Sequence, residues 1–395
     1  MFKYLKHPVF FIYMSSLFGC VLNYLALPAL LRFNKEHFNI LAMLLSVMAI
    51  YVSYDLSANS ILGKGSDGQN NSKFISNILK YIFYTVLTSI IFSFYFINSM
   101  KIESLFMKVV IVLISTIFNI SQIISHSLNG LKLNFQSSVV NICGSIFRVM
   151  VIAYDILYKF DIYLFIIFIG VSYFLELILN LILIRTLLLK KISKFIYSRS
   201  LYLLKIDCLK FIKNGIYLSG GAVISQLDKV ILLGRLDPQD YSNYFLLIVF
   251  SQFPLIAQYP LQRYLLPRYK ILNEKKIKSI IPYFTIYVIF WIIYIYLSPT
   301  LIKIWAGSNF NIDKYLIWLA VIGTAFHSVY SYFQGYLIAN EKFHLIATLN
   351  IPIIFLSLIL LFLCNPILSG PLYWFFIGTI QILFSLFIIY NARFK

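Results

Sequence analysis

Charged side chains are scarce in this sequence of 395 residues. Only 12% of the residues are charged and 61% are hydrophobic, and 14 acidic residues stand against 33 Lys and Arg. A soluble globular domain has roughly 25% charged residues, because water must solvate its surface. The low charge excludes an ordinary soluble enzyme, and the apolar content excludes an intrinsically disordered chain. Lipid is therefore the expected solvent for most of the chain.

Patterns for metal binding and catalysis are also lacking. The four cysteines are scattered, with neither metal-ligand spacing nor the pattern of a disulfide framework: Cys20, Cys143, Cys208 and Cys364. There is no paired-carboxylate loop, nucleophile elbow or glycine-rich phosphate loop. No polar segment reaches the roughly 50 residues of a soluble domain. We therefore expect no metal, no cofactor, no ATPase domain and no enzymatic activity. Nucleic-acid binding is not expected either, because the basic residues are spread over many short loops.

Long apolar runs dominate the sequence instead. A membrane-spanning helix needs about 20 apolar residues, and the runs lack the strict alternation of β-barrel strands. We place twelve spans, at residues 9–31, 38–61, 78–98, 105–129, 137–157, 161–188, 213–233, 241–262, 281–299, 315–338, 343–364 and 370–391. The predicted fold class is an all-α polytopic membrane protein with about twelve transmembrane helices.

The distribution of Lys and Arg predicts the orientation. With the N-terminus inside, the cytoplasmic loops hold roughly three times as many Lys and Arg as the outer loops, so both termini are predicted to be cytoplasmic. The longest loop, residues 190–213, is rich in Lys and divides the chain into six-helix lobes at 1–189 and 214–395. Weak internal similarity indicates a repeat, in which Asn141 and Asn350 lie 209 residues apart at equivalent positions.

Charged residues inside predicted spans are candidate functional residues, because each costs at least about 2.5–3.5 kcal/mol at the bilayer centre. Six stand out: Asp55, Arg148, Asp155, Glu176, Asp228 and Lys229. They are expected to face a wet cavity or to pair with one another.

The seventh span has a broad polar stripe. Gly221, Ser225 and Asp228 share one helix face at the spacing i, i+4, i+7, and Ser225, Gln226 and Lys229 overlap that face. One interpretation is a cavity lining that binds a polar or anionic substrate through Lys229, Ser225 and Gln226. The alternative is an ion pair, or a lysine that reaches towards the outer interface.

The remaining intramembrane charges leave alternatives open. Arg148 suits phosphate contact, because guanidinium stays charged and presents a planar fork, but it could instead form a buried pair with Glu176. The candidate sites for H⁺ or Na⁺ coupling are Asp55, Glu176 and Asp228, and structural pairing is the alternative for each.

Two histidines, His126 and His327, lie in the fourth and tenth spans, which correspond to each other in the two halves. Histidine titrates near neutral pH, which makes a functional role conceivable for both. Structural histidines are the commoner case.

Several motifs carry a resemblance to a known family. They are Ser219 to Asp228 followed by Lys229-Val230-Ile231-Leu232-Leu233-Gly234 and Tyr241, Pro260 with Leu266-Pro267-Arg268, Trp305-Ala306-Gly307, Ala339-Asn340-Glu341-Lys342, and Asn350. With the twelve spans and the central basic loop, they resemble the polysaccharide-export branch of the multidrug/oligosaccharidyl-lipid/polysaccharide flippase superfamily, which includes the Wzx-type O-antigen and capsule flippases.

This resemblance implies two six-helix lobes around a central lumen. It implies a flippase of the bacterial plasma (inner) membrane that moves an undecaprenyl-diphosphate-linked oligosaccharide repeat unit to the outer face, for lipopolysaccharide, capsule or exopolysaccharide synthesis. Cationic residues line the lumen in that family, and Lys229 and Arg148 are the candidates here, with Arg32 at the outer mouth. A polymerase and a chain-length regulator of the same pathway are the implied partners.

Two other functions compete with this one. A membrane-embedded polysaccharide polymerase would be an enzyme and would need a large outer loop, whereas every outer loop predicted here is short. A drug/cation antiporter of the same superfamily would also have twelve spans, and a mainly acidic and aromatic lumen would favour it.

Overall fold

The structure is a computed structural model that describes residues 24–53, 71–100, 102–130, 134–192, 223–265, 281–307, 310–339 and 342–393. The described residues form twelve helices and contain no strand. The helices are α1 (Tyr24–Phe33), α2 (Lys35–Ser53), α3 (Asn71–Ser99), α4 (Leu105–Gly130), α5 (Asn134–Tyr158), α6 (Ile162–Ile192), α7 (Leu227–Arg235), α8 (Pro238–Leu265), α9 (Ile281–Ala306), α10 (Lys314–Ala339), α11 (Phe343–Leu363) and α12 (Pro366–Arg393).

Eight of the described helices, α3–α6 and α9–α12, are long and apolar enough to cross a membrane. Their surfaces carry large exposed apolar side chains, among them Phe94, Leu181, Ile292 and Phe362. Such surfaces are stable in hydrocarbon and not in water. The chain is therefore a multi-pass membrane protein, as the sequence predicts. The location of the two termini stays a prediction.

Short polar turns separate several of these helices, and their residues cap the helix that follows. At a helix start the first backbone N–H groups have no partner within the helix, so a preceding Asn, Asp or Ser side chain accepts from them. This arrangement occurs at the start of α2, α4, α6, α10 and α12, where the capping residues are Asn34, Ser104, Asp161, Asp313 and Asn365. The caps explain why the apolar runs are divided at these places.

The chain divides into two compact units, Met1–Gly234 and Arg235–Lys395. The predicted inter-lobe loop, 190–213, falls mostly outside the described residues, so the predicted lobe bounds 1–189 and 214–395 stay a prediction.

The two units have the same internal packing. In the first unit α4 packs against α2, α3, α5 and α6, and in the second unit α10 packs against α8, α9, α11 and α12. The other packed pairs, α2–α3, α2–α6 and α5–α6, correspond to α8–α9, α8–α12 and α11–α12. Adding six to the helix numbers in these pairs of the first unit therefore gives the pairs of the second unit. This correspondence supports the internal repeat.

Hydrogen bonds between helices repeat in the same way. In the first unit, Asn119 of α4 donates its Nδ2 to the carbonyl oxygen of Tyr51 in α2, at 2.9 Å. In the second unit, Gln258 of α8 donates its Nε2 to the carbonyl oxygen of Ser328 in α10, at 2.6 Å. Asn119 and Ser328 are separated by the same 209 residues as Asn141 and Asn350. Each bond pairs the NH₂ group of a buried amide, which would be costly to leave without any partner in a membrane.

Helices α10 and α12 approach most closely at two glycines. A β-carbon on Gly323 would overlap the backbone of Trp374 and Phe375, and one on Gly378 would overlap the carbonyl oxygen of Gly323. Small residues at such a crossing let two helix backbones meet, which is the main way that helices associate in lipid.

We expect Gly323→Ala to destabilise the protein by about 1–3 kcal/mol, because the added methyl has no space and the helices must separate. The matched control is Gly234→Ala in α7, where the nearest atom to an added β-carbon is Ser99 O at 3.9 Å. Helix propensity alone favours Ala over Gly by about 0.5–1 kcal/mol, so the control should be neutral or stabilising. Thermal unfolding in detergent measures both variants, and equal losses would contradict the close approach.

Candidate functional site

The predicted seventh span is interrupted. Residues 223–224 are helical, Ser225 and Gln226 form a turn, and α7 begins at Leu227. Gln226 N donates to Val223 O at 3.1 Å, and the regular helical bonds resume with Val230 N to Gln226 O at 3.2 Å. The predicted face of Gly221, Ser225 and Asp228 assumes regular helical spacing, which the turn at 225–226 interrupts, and the shared face stays a prediction. Gly221 itself lies outside the described residues.

The turn brings three of the predicted substrate-binding residues together. The ammonium of Lys229 donates to Gln226 Oε1 at 2.7 Å and to Ser225 O at 3.3 Å, and Gln226 Nε2 donates to Ser225 Oγ at 3.3 Å. Lys229 is only 4% exposed. We call Ser225, Gln226 and Lys229 the α7 cluster. The side-chain nitrogen of Lys229 thus donates to a side-chain and a backbone oxygen at the helix break.

Of the predicted coupling carboxylates Asp228 and Asp55, the structure describes only Asp228. Asp228, in the first turn of α7, is fully buried. It lies next to Lys229 in sequence and belongs to the same break. Asp55 lies outside the described residues, so its role stays a prediction.

Arg148 and Glu176 form a buried ion pair between α5 and α6. Arg148 Nη1 donates to Glu176 Oε2 at 2.8 Å, and Nη2 donates to Ser145 Oγ at 3.1 Å. The guanidinium carbon lies 4.4 Å from the ring centre of Tyr173, a cation–π contact. The side chains of Arg148 and Glu176 are 11% and 2% exposed. This pair confirms the structural alternative that the sequence left open.

A glycine makes room for this pair. A β-carbon on Gly144 would lie 2.6 Å from Glu176 Oε2 and 3.3 Å from Arg148 Nη1. The absence of a side chain at this position thus lets the carboxylate reach the guanidinium.

The other predicted residues lie apart from these contacts. Arg32 is exposed in α1, one residue from its end. His126 is buried in α4, and His327 of α10 donates its Nδ1–H to Gln381 Oε1 of α12 at 2.8 Å. His327 therefore has the satisfied, structural environment that is usual for a buried histidine.

One buried polar cluster was not predicted as a site. Asp155, near the end of α5, lies 2.9 Å from Nδ1 of His37, near the start of α2. Asn34 Nδ2 donates to Asp155 Oδ2 at 3.2 Å, and Phe160 N donates to Oδ1 at 3.1 Å. The sequence singles out Asp155 as an intramembrane charge, but no pattern links it to His37, which lies 118 residues away.

Among the described residues, no group of three or more His, Cys, Asp or Glu side chains could hold a metal ion.

No family profile matches the chain, and neither does any curated protein. Solved structures, in contrast, do match the chain. A mutant of the Vibrio cholerae MATE transporter VcmN superposes with a TM-score of 0.60 at 10% identity, covering 97% of each chain. An inward-facing multidrug MATE transporter of the MOP superfamily gives 0.58 at 10% identity, covering 97% of this chain and 96% of the other. The lipid II flippase MurJ, in an inward closed conformation, gives 0.60 at 16% identity, covering 96% of this chain and 87% of the other.

The chain therefore shares the fold of these three structures. All three neighbours are named as transporters or flippases. The shared fold covers nearly the whole chain, so the α7 cluster and the Arg148–Glu176 pair both lie within it.

Proposed function

We propose that this protein is a flippase for an undecaprenyl-diphosphate-linked oligosaccharide repeat unit. It moves the unit from the cytoplasmic to the outer face of a bacterial plasma membrane, by alternating access of its two lobes around a central lumen. The product supplies O-antigen, capsule or another surface polysaccharide. A polymerase and a chain-length regulator of the same pathway are the proposed partners.

The observation that carries the proposal is the α7 cluster. Lys229 is 4% exposed and donates to Gln226 Oε1 at 2.7 Å beside the interrupted helix, which places a basic side chain at the position that we assign to an anion. Interrupted helices in membrane transporters place backbone groups at the substrate site. A diphosphate is the part of a lipid-linked oligosaccharide that most needs a cation in a medium of low dielectric constant.

Other observations support this assignment. The fold is shared with the lipid II flippase MurJ. A glycan cannot cross about 30 Å of hydrocarbon unaided, because its hydroxyl groups would lose their hydrogen bonds to water. The sequence has no domain for ATP hydrolysis, so the drive is an H⁺ or Na⁺ gradient or consumption of the product outside. The protein is a carrier and not an enzyme.

The residues have the following proposed roles. Lys229, with Ser225 and Gln226, binds the diphosphate. Arg32 contributes a cation at the outer mouth. The pair that Arg148 forms with Glu176 neutralises both charges, so the pair is a weaker candidate for phosphate binding and for coupling than the sequence suggests.

Deletion of the gene in its host tests the function. We expect single repeat units to accumulate on the cytoplasmic face and the surface polymer to disappear, because the polymerase acts only on flipped units. The measurement is the amount of lipid-linked oligosaccharide on each membrane face, with a plasmid copy of the wild-type gene as control. Units that reach the outer face but stay unpolymerised would instead indicate a polymerase.

The MATE structures give one alternative, a drug/cation antiporter with the same fold. Unchanged surface glycan after deletion, together with lost export of a cationic dye from the cells, would favour it. The positive Lys229 argues against a cationic substrate, because like charges repel most strongly in a dry site.

A further inference from the structure

The His37–Asp155 cluster connects two turns of the first unit. Asn34, between α1 and α2, accepts from His37 N through its Oδ1 at 3.4 Å and donates through Nδ2 to Asp155. Phe160, between α5 and α6, donates its backbone N–H to the same carboxylate. The imidazole of His37 stacks on Phe165 of α6, with ring centres 4.9 Å apart. His37 is 5% exposed and Asp155 is fully buried.

The donors around Asp155 determine where protons lie. Its Oδ2 accepts from the Asn34 amide and its Oδ1 accepts from the Phe160 backbone, an arrangement that suits a carboxylate. The Nδ1 of His37 lies 3.0 Å from Oδ1 and 2.9 Å from Oδ2, and it must therefore carry a hydrogen. The position left to gain or lose a proton is Nε2 of His37.

Proton binding at Nε2 changes the charge of the cluster. With Nε2 bare the buried cluster has a net charge of −1, and with Nε2 protonated it is a neutral ion pair. A buried uncompensated charge is costly, so the cluster gains from binding a proton. Imidazole is the side chain that exchanges a proton in the physiological pH range.

The charged residues beside the cluster are exposed. On the α1–α2 side they are Arg32, Lys35 and Glu36, and on the α5–α6 side they are Lys159 and Asp161. Water screens these exposed charges more than buried ones. Among the described residues, Asn34, Phe160 and Phe165 also contact His37 or Asp155, and none of these three has an ionisable side chain.

We propose that His37 and Asp155 bind the proton that drives transport, with Nε2 of His37 as the proton-accepting atom. This role rests on the proposed flippase function and replaces Glu176, which Arg148 already neutralises. Because the cluster joins the α1–α2 turn to the α5–α6 turn, a change in its charge acts on both turns together. One proton per cycle gives about a tenfold accumulation ratio for each unit of imposed pH gradient.

The first test measures the proton itself and does not depend on the substrate. The purified protein, labelled with ¹⁵N-histidine, is titrated between pH 5 and 8 by NMR. We expect one buried imidazole to titrate reversibly, and its signal to be lost in His37→Asn. This replacement keeps an amide N–H near the position of Nδ1. His344→Asn removes an exposed histidine and is the control. A His37 signal that does not move in this range overturns the proposal.

The second test measures coupling in proteoliposomes that contain lipid-linked oligosaccharide. We expect an imposed pH gradient to accelerate wild-type flipping, and His37→Asn and Asp155→Asn to flip downhill without that acceleration. Loss of downhill flipping in a folded His37→Asn protein would show that the cluster is purely structural and overturn the proposal. A wild-type flipping rate that does not respond to the pH gradient would also overturn it.

If the wild type moves no oligosaccharide, the flippase proposal fails. The wild type, His37→Asn and Asp155→Asn are then compared by gradient-driven export of a cationic dye. The same pattern of results supports or overturns the role of the cluster in coupling.

Discussion

Arg148→Ala should unfold the protein at a markedly lower temperature than the wild type. The replacement leaves Glu176, 2% exposed, as a buried carboxylate without its cation. Breaking a buried ion pair from one side costs about 3–5 kcal/mol, because the remaining charge keeps its desolvation penalty. Thermal unfolding of the purified protein in detergent measures the loss. Ser145, which accepts from Nη2, cannot replace the guanidinium because a hydroxyl group has no charge.

The matched variant replaces both partners. Arg148→Met combined with Glu176→Leu removes both charges and keeps side chains that fill the space, so most of the lost stability should return. The same double variant also tests function. If the pair is structural, the folded double variant flips substrate at close to the wild-type rate. A double variant that is stable but inactive would restore the interpretation of Arg148 as a phosphate ligand.

The helices were the most predictable part of the fold. The predicted spans 105–129 and 343–364 correspond to α4 (Leu105–Gly130) and α11 (Phe343–Leu363) within one residue. Apolar run length determines whether a segment crosses the membrane, and turn residues such as Asn365 cap the helix that follows. Both signals are local in sequence, so no tertiary information is needed to find them.

Hydropathy alone does not identify the α8 helix as a membrane span. It begins at Pro238 and matches the predicted span 241–262, yet it is not among the helices apolar enough to be recognised by composition. Residues 241–248 are all buried, and Gln258 bonds to α9 and α10. The amide of Gln258 is paired inside the unit, so this helix can carry a polar side chain in a buried position.

The candidate sites were only partly predictable. The Arg148–Glu176 pair could be named as an alternative because adjacent helices joined by a short turn must pack together. The break at Ser225 was missed because helical periodicity assumes a continuous helix. His37 was missed because the predicted second span, 38–61, begins one residue after it. Its partner Asp155 comes from a distant helix, and only tertiary packing brings the two together.

Lys229→Met should abolish most transport without lowering stability. If the cation binds the diphosphate, its loss removes a charged hydrogen bond worth about 1.5–3 kcal/mol, which corresponds to roughly a ten- to hundredfold lower rate of flipping. Met fills a similar volume, and removing a buried cation relieves its desolvation penalty. Flipping in proteoliposomes and thermal unfolding in detergent measure the two effects.

Two further variants separate substrate binding from a structural role. Lys229→Arg keeps the cation and should restore part of the flipping rate, whereas Lys303→Met removes an exposed lysine of α9 and should change neither quantity. If Lys229 instead serves to neutralise the buried Asp228, then Lys229→Met leaves that carboxylate uncompensated and stability falls together with transport. If Lys229 binds the substrate, Lys229→Met instead gives a stable protein that no longer flips its substrate. Loss of transport without loss of stability therefore distinguishes substrate binding from a structural role.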